Sequence, residues 1–152
     1  MTSPTARLRE LGITLPSVAT PAGSSIPAKR AGGLVVTAGQ VPFVDGALAA
    51  TGKVGAEITP EQAKDLARTC TLNALAAVDG LVGLDAVASV VKVVGFVASA
   101  PGFTGQPGVI NGASELLAEV FGEAGRHARS AVGVAELPLG APVEVELVVE
   151  LA

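Results

Sequence analysis

The chain has 152 residues and a net charge of −4, a length that fits one domain with a sizeable core and a charge that argues against general nucleic-acid binding, which needs clustered Lys and Arg facing phosphates. Nearly half of it (49%) is hydrophobic and only 16% is charged, yet no run approaches the roughly 20 continuous apolar residues of a membrane span. The apolar surplus therefore points to a large buried interface with another subunit.

Other classes fall away on residue counts. The N-terminal "MTSPTARLRELGI" has no apolar stretch of the kind a secretory signal carries. A single cysteine, Cys70, allows no internal disulfide and suits the reducing cytoplasm. A single histidine, His127, leaves too few ligands for an ordinary zinc site. With no Trp and no Tyr, platforms for stacking bases are scarce.

Residues 1–28 are the least regular part. "ARLRELGI" reads as one or two helical turns, and "PSVATPAGSSIPA", with three prolines, as an extended arm. "LVVTA" (34–38) is β-branched and apolar, hence a strand. In "GQVPFVDGALAA", Asp45-Gly46 between apolar runs predicts a hairpin, because a tight turn needs positive φ. "TPEQ" sets Thr59 as an N-cap, Pro60 at the first helical position and Gln62 three residues after the cap. Ala63, Leu66, Ala67, Cys70, Ala74, Ala77, Val78 and Leu81 follow at helical spacing, and Gly80 or Gly83 ends the helix. Cys70 lies on this stripe as a small buried hydrophobe. "AVASVVKVVGFVAS" (86–99) reads as a buried strand and "APGFTGQPG" as a loop. "VINGASELLAEVFGEAG" is a second helix ending at Gly122 or Gly125, and strands follow over about 129–136 and 143–150. Two helices and five or six strands predict an α+β fold: a mixed five- to six-stranded sheet with both helices on one face. The other face is expected to be covered by a partner subunit.

"VVTAGQVP" (35–42) and "VINGASELLAEVFGEAGRHARSAVGVAELPLGAPVEVE" (109–146), with the helix between them, resemble the reactive-intermediate deaminase family, also called YjgF or L-PSP endoribonuclease. "ARSAVGVAELPLGAPVEVE" is the most specific piece. The resemblance implies a fold like bacterial chorismate mutase, a homotrimer with sites in the clefts between subunits, and no metal or organic cofactor. It implies hydrolysis of reactive 2-enamine or 2-imine acids to 2-keto acids and ammonia. It also marks residues 1–20 as an N-terminal extension of a single domain.

Alternation through "RSAVGVA" places Arg129, Ala131, Gly133 and Ala135 on one strand face. Arg129 matches the family arginine that holds the substrate carboxylate, a task suited to a planar guanidinium with two parallel hydrogen bonds; the other reading is a salt bridge with a neighbouring acid. In "PVEVELVVEL", Glu144, Glu146 and Glu150 share a face. Glu144 matches the family acid near the attacking water, where it would act as a base; Glu146 and Glu150 read as solvated or as intersubunit ion pairs. Asn111 matches an asparagine of the family's site region, and its plainer role is an amide that ties down a loop. Gly39 and Gln40 match the family turn, where Gly39 either presents a backbone amide to a ligand or shapes the bend. His127, two residues before Arg129, is expected at the rim, hydrogen-bonded to backbone, with a proton shuttle as the alternative.

The chain departs from the family in three places. Ser25 stands near the family tyrosine that closes the site, Ala131 on the substrate-lining face where a cysteine is frequent, and Ala38 where a serine precedes the glycine. The loop 99–108 is longer. The function expected is thus an imine/enamine deaminase acting on a small carboxylate-bearing substrate in the cytoplasm. The alternatives are a trimer that binds a small carboxylate without turning it over, and a ribonuclease.

Overall fold

The computed structural model describes residues 2–19 and 23–152. Its elements in chain order are helix α1 (Pro4–Glu10), strands β1 (Ala28–Ala31), β2 (Leu34–Thr37), β3 (Phe43–Val44) and β4 (Ala47–Leu48), helix α2 (Pro60–Val82), strand β5 (Val87–Ala98), helix α3 (Gln106–Phe121), and strands β6 (Ala128–Val134) and β7 (Val143–Leu151).

Helix α2 begins as its sequence predicts. The Thr59 hydroxyl accepts from the Gln62 amide (3.1 Å) and the Gln62 side chain accepts from the Thr59 amide (2.9 Å), so two donors at the helix start are satisfied reciprocally. The helix ends before Gly83, whose φ of +81° disfavours other residues. Its buried stripe of Ala63, Ala67, Cys70, Ala74 and Ala77 is made of small side chains, which lets α3 approach closely. At Gly112 of α3 the approach is so close that a Cβ would collide with the Lys64 carbonyl oxygen. Leu81, read from its spacing as part of the stripe, instead faces outward at 45% exposure, at the end of the helix.

Five strands form one mixed sheet in the order β1-β2-β7-β5-β6, with β5 and β6 parallel and the other neighbours antiparallel. Strand β7 shows the alternation expected: Val143, Val145, Leu147 and Val149 are buried while Glu144 and Glu146 are half-buried on the other face. The buried set, with Val35, Val93 and Val97, packs into one core with Ala74, Leu75, Ile110 and Leu117 of the two long helices. The opposite face leaves Leu34, Val36 and Val132 exposed.

The helical turns read in "ARLRELGI" form α1, which packs as a third helix on the core: the Thr5 amide and hydroxyl donate to the Asp85 carboxylate at 2.9 and 2.6 Å, and Leu8 is buried. Other features differ from the sequence reading. Strand β1, "AKRA", begins at the last residue of the stretch read as least regular and runs through residues to which the sequence reading gave no element. It is an edge strand in which only Ala28 is buried, so it lacks an apolar pattern. The β3–β4 hairpin forms through Asp45 (φ +51°) and Gly46 (φ +85°), yet it makes a small sheet of its own instead of extending the main one. Helix α3 also starts three residues early, because Pro107 sits in its first turn, where its missing N–H costs nothing. The arm "PSVATPAGSSIPA" has no regular structure at 16–19 and 23–27, and its residues 20–22 lie outside those described. Among the described residues no helix is long and apolar enough to cross a membrane.

Candidate functional site

Arg129 lies on edge strand β6 opposite Val93 of β5, and Val93 in turn faces Leu147 of β7; both neighbours are core residues. The arginine therefore projects to the helix side of the sheet, over α3. There its Nη1 donates to Asn111 Oδ1 at 2.8 Å and to Ser114 Oγ at 3.2 Å. Asn111 and Ser114 are one helical turn apart on α3 and so share a face. A guanidinium carries five N–H donors. Those on Nη1 are occupied by α3, which leaves the Nε–Nη2 edge, the edge that grips a carboxylate through two parallel bonds. Among the described residues no carboxylate pairs with Arg129, whereas Lys53, Lys64 and Arg68 each pair with a glutamate.

His127 completes this cluster. Its Nδ1 is 2.7 Å from the Gly125 carbonyl oxygen and its Nε2 is 2.9 Å from Ser114 Oγ. A carbonyl oxygen only accepts, so the neutral ring carries its proton on Nδ1, and Nε2 accepts from the serine hydroxyl. The backbone bond expected of a rim histidine is present, and a second one to Ser114 accompanies it. Ser114 was not singled out by its sequence context. The only signal for it is the three-residue spacing from Asn111.

The small residues beside Arg129 do not all leave open space. A Cβ at Gly133 would lie 2.7 Å from Gln106 Nε2 and 2.9 Å from Ser99 Oγ. That volume is filled by the 99–108 loop, which Gln106 fastens through bonds to Ser99 Oγ (3.1 Å) and the Phe103 carbonyl (2.9 Å). Ala131 remains partly exposed and packs against the edge of the core.

Glu144 lies elsewhere. It pairs with Phe96 on the sheet face away from the helices. A cavity of about 220 Å³ there is lined by Ser25, Ala38, Gly39, Gln40, Leu139 and Glu144. The turn at Gly39 is held by Gln40, whose amide donates to the Val145 carbonyl at 2.8 Å. A Cβ at Gly39 would project into the space that the end of the Glu144 side chain occupies. Burial, with Glu146 nearby as a second cause, raises the Glu144 carboxyl above the ordinary carboxylate range. Burial also pushes the Cys70 thiol well up, with Glu144 adding to it; Cys70 is fully buried and its thiol points at the Val143 carbonyl at 3.6 Å.

One chain thus holds two groups of candidate site residues. Arg129, Asn111, Ser114 and His127 lie on the helix side of the sheet, and Glu144, Gly39, Ala38 and Ser25 on its open side. The sheet itself separates Arg129 from Glu144.

A mixed sheet backed by two long helices, with an arginine held on its edge strand, defines an α+β protein of the chorismate mutase-like type. The family model described as "YjgF/chorismate mutase-like, putative endoribonuclease" matches residues 5–151, and the chain belongs to that family, the one its C-terminal signature resembles. It is 46% identical to "Protein TCP17" of Trypanosoma cruzi over 96% of this chain and 92% of the relative. Among solved structures it is similar to the Agrobacterium tumefaciens protein Atu1372, of unknown function (43% identity, TM-score 0.88, covering 98% of this chain and 92% of that one). It is also similar to an endoribonuclease-named protein of Shewanella oneidensis (34% identity, TM-score 0.95, covering 99% and 100%). More distantly it shares its fold with Escherichia coli TdcF, solved with bound serine (22% identity, TM-score 0.66, covering 91% and 96%).

Proposed function

We propose that the chain is a 2-imine/2-enamine acid deaminase that hydrolyses its substrate to a 2-keto acid and ammonia. The observation that carries this reading is the state of Arg129: fastened through Nη1 by Asn111 and Ser114, and paired with no described carboxylate. In the reaction Arg129 takes the substrate carboxylate, which fixes the C=N carbon for attack by water. Little further is required, because such imines hydrolyse slowly unaided and positioning supplies much of the acceleration. Glu144, whose carboxyl burial raises above the ordinary carboxylate range, serves to orient the attacking water. Asn111 and Ala131 line the carboxylate side, with His127 at its rim; Gly39 and Ser25 line the Glu144 side.

Arg129 and Glu144 lie on opposite faces of one sheet, so they act together only if each meets its counterpart from another subunit. A homotrimer with clefts between subunits provides this, and its interface would cover the exposed Leu34, Val36 and Val132. The serine bound to TdcF is a small carboxylate-bearing molecule, in keeping with such a ligand here. Generating an imine with an amino-acid oxidase in the presence of the protein, and trapping the keto acid, tests the reading. Keto acid should form faster than in buffer.

A second reading is a trimer that binds a small carboxylate without turning it over. Ala38 and Ser25 beside Glu144, in place of the larger polar groups expected from the family resemblance, favour it. Thermal stabilisation by keto acids without turnover would support it. The ribonuclease named in the family description finds little support in a chain with net charge −4, and RNA cleavage surviving repurification would restore it.

A further inference from the structure

We propose that Ser114 and His127 form a proton relay beside the Arg129 anchor, with Ser114 meeting the reacting water and leaving nitrogen, and His127 taking up and returning the proton behind it. The proposal rests on the deaminase reading above.

The Ser114 hydroxyl is oriented from two sides. Arg129 Nη1 only donates, so Ser114 Oγ accepts from it at 3.2 Å. His127 Nε2 is an acceptor, because the Nδ1 proton is committed to the Gly125 carbonyl, and so the Ser114 hydrogen points to the ring at 2.9 Å. One lone pair of Oγ is left to receive a proton. A serine or threonine with a merely structural place on a helix commonly bonds back to the carbonyl four residues earlier. Thr69 and Thr71 of α2 do so, to Asp65 and Ala67. Ser114 is turned instead toward the imidazole and the guanidinium.

The support behind the ring is stiff. At Gly125 a Cβ would collide with the Leu117 carbonyl, so this backbone packs directly on α3 and holds the carbonyl that orients His127. The charged groups around the ring are accounted for by element. On β6, Arg129 reaches it through Ser114. In the turn before β6, Arg126 pairs with Glu123 at 3.6 Å, both more than three-quarters exposed. On α3, Glu115 pairs with Lys64 at 2.8 Å. On β5, Lys92 is opposite Ala128, on the other face of the sheet from Arg129. No described carboxylate contacts the imidazole, and a backbone carbonyl alone sets its tautomer.

The relay balances the reaction on an iminium acid held by Arg129. Water attacks the C=N carbon; the C–O bond forms and the π pair moves to nitrogen. The proton shed by water passes to Ser114 Oγ as the Ser114 proton passes to His127 Nε2. The carbinolamine then collapses. Its oxygen forms the carbonyl and loses a proton to solvent, the C–N bond breaks, and ammonia leaves with the proton returned by His127 through Ser114.

The test measures kcat, KM and the pH profile for Ser114→Ala, Ser114→Thr and His127→Asn. General acid–base catalysis contributes roughly 100-fold or more. Ser114→Ala should lower kcat about 100-fold with KM changed less than about threefold, Ser114→Thr should restore most of the loss, and His127→Asn should flatten the acid limb of the kcat profile. Because His127 is the single histidine of the chain, its ring resonances give a readout independent of turnover. Pyruvate, as a carboxylate probe, should shift them in the wild type and not in Ser114→Ala. If the wild type does not accelerate imine hydrolysis but pyruvate still reaches the ring through Ser114, the deaminase reading falls and the coupled anion site stands. If the wild type is active and Ser114→Ala keeps its kcat and pH profile, the relay falls and the deaminase reading stands. A ring that ignores pyruvate in the wild type overturns the relay whatever the activity.

Discussion

At Arg129 and Glu144 the same sequence motif produces two different electrostatic settings. Arg129 keeps its charge and is held by neutral acceptors, Asn111 and Ser114, so its attraction for an anion is not spent on a resident carboxylate. Lysine in its place would keep the charge but lose the planar fork. Glu144 is in the opposite position, because burial and Glu146 disfavour its ionised form. Its folded state binds a proton more tightly than the unfolded chain does. Stability therefore falls as pH rises from the ordinary carboxylate range through the raised value, and the whole penalty is present above it. Glu144→Gln should raise the melting temperature at pH 7 and change it little at pH 4, as thermal unfolding at the two pH values would show. A lower melting temperature at pH 7 would mean that the carboxylate is favourably paired in solution. Arg129 and Glu144 each stand out in the sequence as single candidates. Ser114 does not, since nothing in "VINGASELL" marks one polar helix position above another until β6 is placed beneath it.

At the scale of elements, short-range chemistry wrote the clearest signals. Thr59, Pro60 and Gln62 announce the start of α2, and the period-two pattern of β7 announces which face is buried. Strand β1 could not be read this way, because an edge strand of "AKRA" owes its conformation to pairing with β2 and not to its own apolar residues. The packing of α2 on α3 inverts a common rule. Glycine inside a helix costs about 1 kcal/mol relative to alanine, so Gly112→Ala would ordinarily stabilise. Here the added methyl would meet the Lys64 carbonyl, and we expect a loss of about 1–3 kcal/mol, the usual cost of overpacking. Denaturant unfolding of the variant decides the sign. Because α3 also carries Asn111 and Ser114, the same substitution should weaken keto-acid binding.

At the scale of the whole molecule, the fold class follows from element order, but the division of the site does not. Which side of the sheet Arg129 occupies depends on strand order, since β5 lies between β6 and β7, and no local pattern encodes that order. The separation has a direct consequence for the proposed trimer. If each site takes Arg129 from one subunit and Glu144 from its neighbour, Arg129→Ala and Glu144→Gln trimers should each be impaired. Dissociated and reassociated together, they should regain activity at roughly a quarter of the sites, as random mixing in a symmetric ring requires. No recovery in verified mixed trimers would place both residues of a working site in one chain, against the geometry seen here.

The central claim is that Arg129 anchors an imine or enamine acid for hydrolysis, and keto-acid release from an oxidase-generated imine measures it most directly. Wild-type protein should accelerate release over buffer, and Arg129→Ala should reduce kcat/KM by at least about tenfold, the effect of losing roughly 1.4 kcal/mol of transition-state binding. A wild-type rate equal to buffer, or an Arg129→Ala variant with undiminished kcat/KM, would contradict it.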